Sequence, residues 1–123
     1  GVIDYIRRGA DLDDCLHESP QPNLSVLPAG GTHDNPLSLV ISPRFSELLE
    51  QLRHRFRVTV LDLPPSLSHA EGAAVLRLAD RRVLLVRANA TRRSEVAKNV
   101  DRLAEQDIKI DGVVLNRRKF LFG

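Results

Sequence analysis

Short apolar runs and longer amphipathic stretches alternate along the chain. Four runs have the length and β-branched content of strands: residues 24–28 (LSVLP), 58–63 (VTVLDL), 83–87 (VLLVR) and 110–115 (IDGVVL). The middle two are apolar at consecutive positions, which predicts parallel strands covered on both faces. Between the first two, Phe45, Leu48, Leu49, Leu52 and Phe56 recur at helical spacing, while Glu47, Glu50 and Arg53 fall elsewhere on the wheel. Ser42 followed by Pro43 is a start signal for that helix, a hydroxyl able to accept a free amide and a proline suited to the first helical position. Further helices are predicted over 70–79 and 94–106, the second capped by Thr91 and turning Val96, Val100 and Leu103 inward.

The order strand, helix, strand, helix implies an α/β fold: three layers, with a mostly parallel sheet flanked by helices and right-handed crossovers. The N-terminal part is less regular. Residues 2–8 read as a short helix ended by Gly9, and Asp11 as the cap of another over 12–17. Residues 29–36, with Gly30, Gly31, Asn35 and Pro36, read as a long loop.

At 123 residues, 42% hydrophobic and 28% charged, the chain has the balance of one small globular domain spanning 1–123. Lys and Arg exceed Asp and Glu by only 18 to 16, and the basic residues are spread out apart from Arg117, Arg118 and Lys119. That pattern predicts no specific nucleic-acid partner despite a pI near 9.1. A single cysteine, Cys15, excludes an internal disulfide and suits a reducing compartment, and it shows no close metal spacing with His17, His33, His54 or His69. No run approaches the roughly 20 apolar residues of a membrane span, and the first residues lack the regions of a signal peptide. The start at Gly rather than Met leads to the expectation that a segment lies upstream.

Asp62 ends an apolar run and is followed by Leu63, Pro64 and Pro65. Ligands in open α/β sheets collect outside the carboxyl ends of strands, and a carboxylate there suits a hydrated Mg²⁺. An Asp capping a turn explains the same residue, and the motif alone leaves both readings open. Asn116 follows another apolar run, and its amide offers the donor and acceptor needed to read a purine edge. Arg117 beside it would stack on a base or hold a phosphate; the plainer reading is an asparagine that turns the chain before a solvated basic triplet. His69 and Glu71 follow the double proline and are either groups reaching the same cleft or a surface helix start. Ser66 and Ser68 lack a nucleophile elbow, and Gly30 and Gly31 open no helix as a dinucleotide fingerprint would.

Taken together, GVIDYIRRG (1–9), NLSVLPAG (23–30), Asn35-Pro36-Leu37, PRFSELLEQLR (43–53), VLDLPP (60–65), ADRRVLLVRA (79–88), Thr91 and GVVLN (112–116) occur in an order that resembles the bacterial tyrosine kinase family. These are the cytoplasmic ATPase domains or partners of polysaccharide co-polymerases, within the MinD/ParA-like P-loop group. The resemblance covers the C-terminal two-thirds of that domain and implies a partial P-loop NTPase fold. It equates Asp62 with the Walker B aspartate that helps hold Mg²⁺, the one catalytic position in the chain, and Asn116 with the residue contacting adenine, with Arg117 beside it.

The departures are equally specific. No G-x-x-x-x-G-K-[ST] occurs, so the backbone cradle and lysine for the phosphates are absent. Ala70, Glu71 and Gly72 stand where the family has an Asp-Ala pair, the C-terminal tyrosine cluster is missing, and Tyr5 is the only tyrosine. The implied function is part of an ATP-dependent tyrosine autokinase or ATPase regulating capsular or exopolysaccharide polymerisation and export, inactive alone because phosphoryl transfer depends on the missing cradle. ATP and Mg²⁺ then belong to the intact domain. A co-polymerase membrane protein or domain is the implied partner, at the cytoplasmic face of the plasma membrane. A parallel sheet without a central member exposes apolar surface, which predicts a homo-oligomer or an altered strand order. Two alternatives are a non-catalytic interaction module of the same machinery and a ParA-like positioning ATPase.

Overall fold

The computed structural model describes residues 1–64 and 69–117. The expectations placed on Pro65, Ser66, Ser68, Arg118 and Lys119 lie outside the described residues. The chain divides into two compact units, Gly1–Asp62 and Leu63–Gly123.

The first unit is mainly helical. Its opening helix is a π-helical turn, Asp4–Arg8, ended by Gly9 in the left-handed region (φ 69°), a conformation open to glycine because it has no Cβ. Val2 and Ile3 donate their amides to the Pro28 and Ala29 carbonyls at 2.8 and 3.0 Å, so the chain start runs against the segment 28–30. A Cβ on Gly1 would lie 2.6 Å from Gly30 backbone, which makes glycine a steric requirement there. Helix α1 (Leu12–Cys15) is shorter than the sequence pattern implies, and Asp11 caps it without using its side chain. The chain leaves the helix early because His17 and Glu18 are taken up as strand β1 (His17–Glu18), which pairs antiparallel with β2 (Ser25–Val26).

The run 24–28 is therefore not a parallel strand. A turn holding Pro20, Pro22 and Asn23 (φ 60°) folds it back on its own neighbour, closed by the Ser19 amide on the Leu24 carbonyl at 2.9 Å. The expected loop before the main helix contains helix α2 (Pro36–Val40). Asn35 accepts the Ser38 amide through Oδ1 at 3.2 Å, and Pro36 occupies the first turn, where its missing N–H is no loss.

Helix α3 (Pro43–Arg55) follows its amphipathic pattern. Ser42 Oγ accepts the Phe45 amide at 3.3 Å, and Phe45, Leu48 and Leu52 are buried at spacings of three and four. Tyr5 is 2% exposed, with the Arg44 guanidinium 4.3 Å above its ring and its hydroxyl accepting from Gln51 Nε2 at 2.8 Å. Arg44 also donates to the Tyr5 carbonyl at 3.2 Å, and Arg55 pairs with Asp13. The run 58–63 forms no strand. Val58 and Val60 are 77% and 84% exposed, because no described residue supplies a ladder partner for an apolar, strand-like sequence.

The second unit is one right-sized βα repeat. Helix α4 (Ala70–Leu78) leads into β3 (Val83–Arg87), helix α5 (Arg93–Glu105) crosses over, and β4 (Gly112–Asn116) pairs parallel with β3. Leu103 and Ile108 are fully buried, and Val75 and Val86 nearly so. Thr91 is not the cap of α5. Arg92 takes that position, and its amide is held by the Glu95 carboxylate at 3.1 Å. Thr91 instead closes the preceding turn, donating its amide to the Arg87 carbonyl at 3.1 Å.

The expectation of strands covered on both faces is corrected for β3: Val83 and Leu85 are 59% and 65% exposed, on the face opposite buried Val86. Among the described residues the sheets are two pairs, one antiparallel and one parallel, so the broad α/β character holds while the three-layer arrangement does not appear in these residues.

Candidate functional site

The register of the parallel pair sets the geometry of the candidate site. Arg87 lies directly opposite Asn116, and the Ala88 amide donates to the Asn116 carbonyl at 2.8 Å, carrying the ladder one step past both strand ends. Asn89 then takes a left-handed conformation (φ 61°) and turns the chain towards α5. Asparagine tolerates that region better than most residues. On the other strand, Arg117 is also left-handed (φ 56°), and its amide donates to Asn116 Oδ1 at 2.9 Å. That bond orients the Asn116 side chain. Its NH₂ group and a second lone pair on Oδ1 remain for a ligand.

These strand ends open onto a cleft of about 520 Å³ lined by Arg87, Ala88, Asn89, Ala90 and Arg117. Asn116 and Arg117 are thus brought together with Arg87, which the sequence reading did not single out. The signal was present in the matching positions of VLLV-Arg87 and GVVL-Asn116, but only the strand register aligns them. Asp62 lies in the other unit, at its last residue. It is exposed and forms no ion pair or hydrogen bond among the described residues, so its carboxylate is available to a hydrated cation. His69 Nδ1 and Glu71 Oε1 are 3.9 Å apart at the start of α4, as a surface helix start would have them.

Electrostatics distinguishes the two edges of the β3–β4 pair. At the amino edge, Asp111 Oδ2 accepts the Arg82 amide at 2.8 Å, and Arg81 lies 3.6 Å from its other oxygen. The Arg82 amide, followed by the charges of Arg81 and Arg82, holds the Asp111 carboxyl below the ordinary range despite some desolvation. Arg82 Nε donates to the Leu76 carbonyl at 2.6 Å and Arg77 to the Gln106 carbonyl at 3.4 Å. At the carboxyl edge, Arg87, Arg92, Arg93 and Arg117 form no ion pair among the described residues. The unit as a whole has twelve Lys and Arg against seven Asp and Glu, a net of +5, while the first unit has six against nine, a net of −3.

No family model matches the chain. The tyrosine-protein kinase CpsD of Streptococcus agalactiae is 28% identical over 117 residues, covering 95% of this chain and 51% of that protein. The tyrosine-protein kinase Wzc of Salmonella typhimurium is also 28% identical, across 94% of this chain and 16% of its own length. Among solved structures, the VpsO kinase domain is 38% identical and superposes with a TM-score of 0.88, covering 97% of this chain and 59% of that domain. The homologues of this chain are bacterial tyrosine-protein kinases. Its structural neighbours are bacterial tyrosine kinase domains, which are P-loop NTPase-like, and this chain shares with them a mixture of helices and small sheets. The chain spans about half the length of the CpsD kinase it matches.

Proposed function

We propose that the whole chain forms part of one ATP-dependent tyrosine autokinase/ATPase domain, which regulates capsular or exopolysaccharide polymerisation and export at the cytoplasmic face of the plasma membrane. The observation that carries this reading is the 38% identity and 0.88 TM-score with the VpsO kinase domain over 97% of the chain. The partner is a polysaccharide co-polymerase membrane protein or domain. The exposed apolar positions Val83, Leu85 and Val114 support assembly with further surface, including a homo-oligomer.

Each unit, taken by itself, offers groups whose chemistry suits a nucleotide complex. Asp62 offers an exposed carboxylate with no competing cation among the described residues, the donor chemistry Mg²⁺ takes. Asn116, fixed by the Arg117 amide, offers its NH₂ and a lone pair to a base edge, and Arg117 adds a planar cation at the cleft. When bound, Mg²⁺ neutralises charge on the phosphates during phosphoryl transfer. The chain has no G-x-x-x-x-G-K-[ST] cradle, so by itself it binds Mg-ATP weakly and does not turn it over.

In the full-length protein, Asp62→Asn is expected to lower tyrosine autophosphorylation about a hundredfold or more, read by phosphate incorporation from ATP. A wild-type full-length protein that transfers no phosphate to tyrosine overturns the reading. Micromolar Mg-ATP affinity in residues 1–123 alone would overturn the inactivity of the isolated chain.

A further inference from the structure

We infer that Arg87 is a base-contacting residue of this nucleotide site, its guanidinium stacking on the purine ring in the cleft it shares with Arg117. The inference rests on the nucleotide-binding reading above and adds a residue to it.

Placement comes first. Arg87 and Asn116 are register partners at the carboxyl ends of neighbouring parallel strands, so their side chains leave the sheet on the same face. The carboxyl ends are where ligands of open α/β sheets bind. The cleft wall then narrows the chemistry. Its lining residues are two arginines, Arg87 and Arg117, two alanines, Ala88 and Ala90, and Asn89, with no Asp or Glu among them. Such a lining disfavours a cation. Small apolar groups beside planar, weakly hydrated cations suit a flat aromatic ring, because guanidinium stacks on π faces where an ammonium acts only as a point charge.

The surrounding field agrees with an electron-rich or anionic ligand. Four arginines, Arg87, Arg92, Arg93 and Arg117, crowd the strand ends and the start of α5 without an acidic partner among the described residues. Glu95, the acid in the first turn of α5, is engaged by the Arg92 amide. Arg92 and Arg93 also face the positive end of the helix dipole, an arrangement that opposes folding in the free protein and is relieved when negative charge arrives. The amino-edge arginines, by contrast, already have protein partners. Arg87 is left with no structural task that accounts for it.

The test uses the full-length protein, calorimetric titration, and two probes: ATP and inorganic tripolyphosphate. Arg87→Ala is expected to weaken ATP binding about five- to tenfold and leave tripolyphosphate binding unchanged. Arg87→Lys keeps the charge but not the plane, and should stay within about twofold of the alanine variant. Equal losses for both probes, full recovery with lysine, or unchanged ATP binding in Arg87→Ala overturns the inference. Because Arg87 is exposed, thermal melting should confirm that both variants fold as the parent does. Wild-type protein that fails to bind ATP brings down the kinase reading together with this inference, whereas wild-type binding with an unaffected Arg87→Ala brings down the inference alone.

Discussion

The two edges of the β3–β4 pair carry similar arginine-rich sequences and use them oppositely. At the amino edge three arginines are drawn into the fold: Arg82 reaches the Leu76 carbonyl, Arg77 the Gln106 carbonyl, and Arg81 the Asp111 carboxylate. At the carboxyl edge Arg87 and Arg117 border an open cleft and have no acidic partner among the described residues. Charged side chains that satisfy carbonyls and carboxylates stabilise a fold. Those left facing a cleft contribute little to it and are available for a ligand. The contrast teaches that partner geometry, rather than residue type, separates the arginines this unit uses in its own fold from those it leaves open to a ligand.

The largest effect should come from the core that holds both edges in place. Leu103→Ala removes a side chain 1% exposed, and about 3 kcal/mol of stability should be lost in urea unfolding followed by circular dichroism. Both edges would loosen together, so this variant sets the scale for the others. Arg82→Ala should cost about 1 kcal/mol through the lost bond to the Leu76 carbonyl, with nucleotide affinity preserved. A loss of ATP binding without a loss of stability in that variant would reverse the assignment of the edges.

Acidification sharpens the comparison. The Asp111 carboxyl sits below its ordinary value, chiefly because of the Arg82 amide, so its contribution to stability is fully present above the unfolded carboxylate range near pH 4 and is lost as pH falls through the lowered value. The stability difference between wild type and Asp111→Ala should therefore shrink from pH 7 towards pH 2 to 3. The smallest effect belongs to the carboxyl edge, where Arg87→Ala and Arg117→Ala should each leave stability within about 0.5 kcal/mol of wild type.

Several elements were legible in the chain before any coordinates. Residues 83–87 form a strand with the bounds the apolar run gives, and α3 starts where Ser42 and Pro43 place it. The run 58–63 has an equally apolar pattern yet forms no strand, with Val58 and Val60 exposed. Periodicity reports that a segment is fit for a sheet. The partner that completes its ladder must come from elsewhere, and none of the described residues provides one. Helix α2 was missed for a different reason: a five-residue helix offers too few positions for a hydrophobic stripe, although the Asn35-Pro36 cap was visible.

The candidate site divides in the same way. Asn116 and Arg117 could be found as polar residues closing an apolar run, because that ending is local. Arg87 could not, since a basic residue after VLLV is indistinguishable from a solvated strand end until the register sets it opposite Asn116. Asp62 could be placed at the end of an apolar run, but its neighbours in space come from the fold rather than from the sequence around it.

The packing of Tyr5 has a consequence for phosphorylation. It is the single tyrosine among 123 residues, 2% exposed, roofed by the Arg44 guanidinium, with its hydroxyl occupied by Gln51. A phosphoryl donor could reach that oxygen only after α3 had come away from the ring. Within these residues the tyrosine is a rivet between the chain start and its longest early helix, and in this packing its hydroxyl is not placed to accept a phosphoryl group.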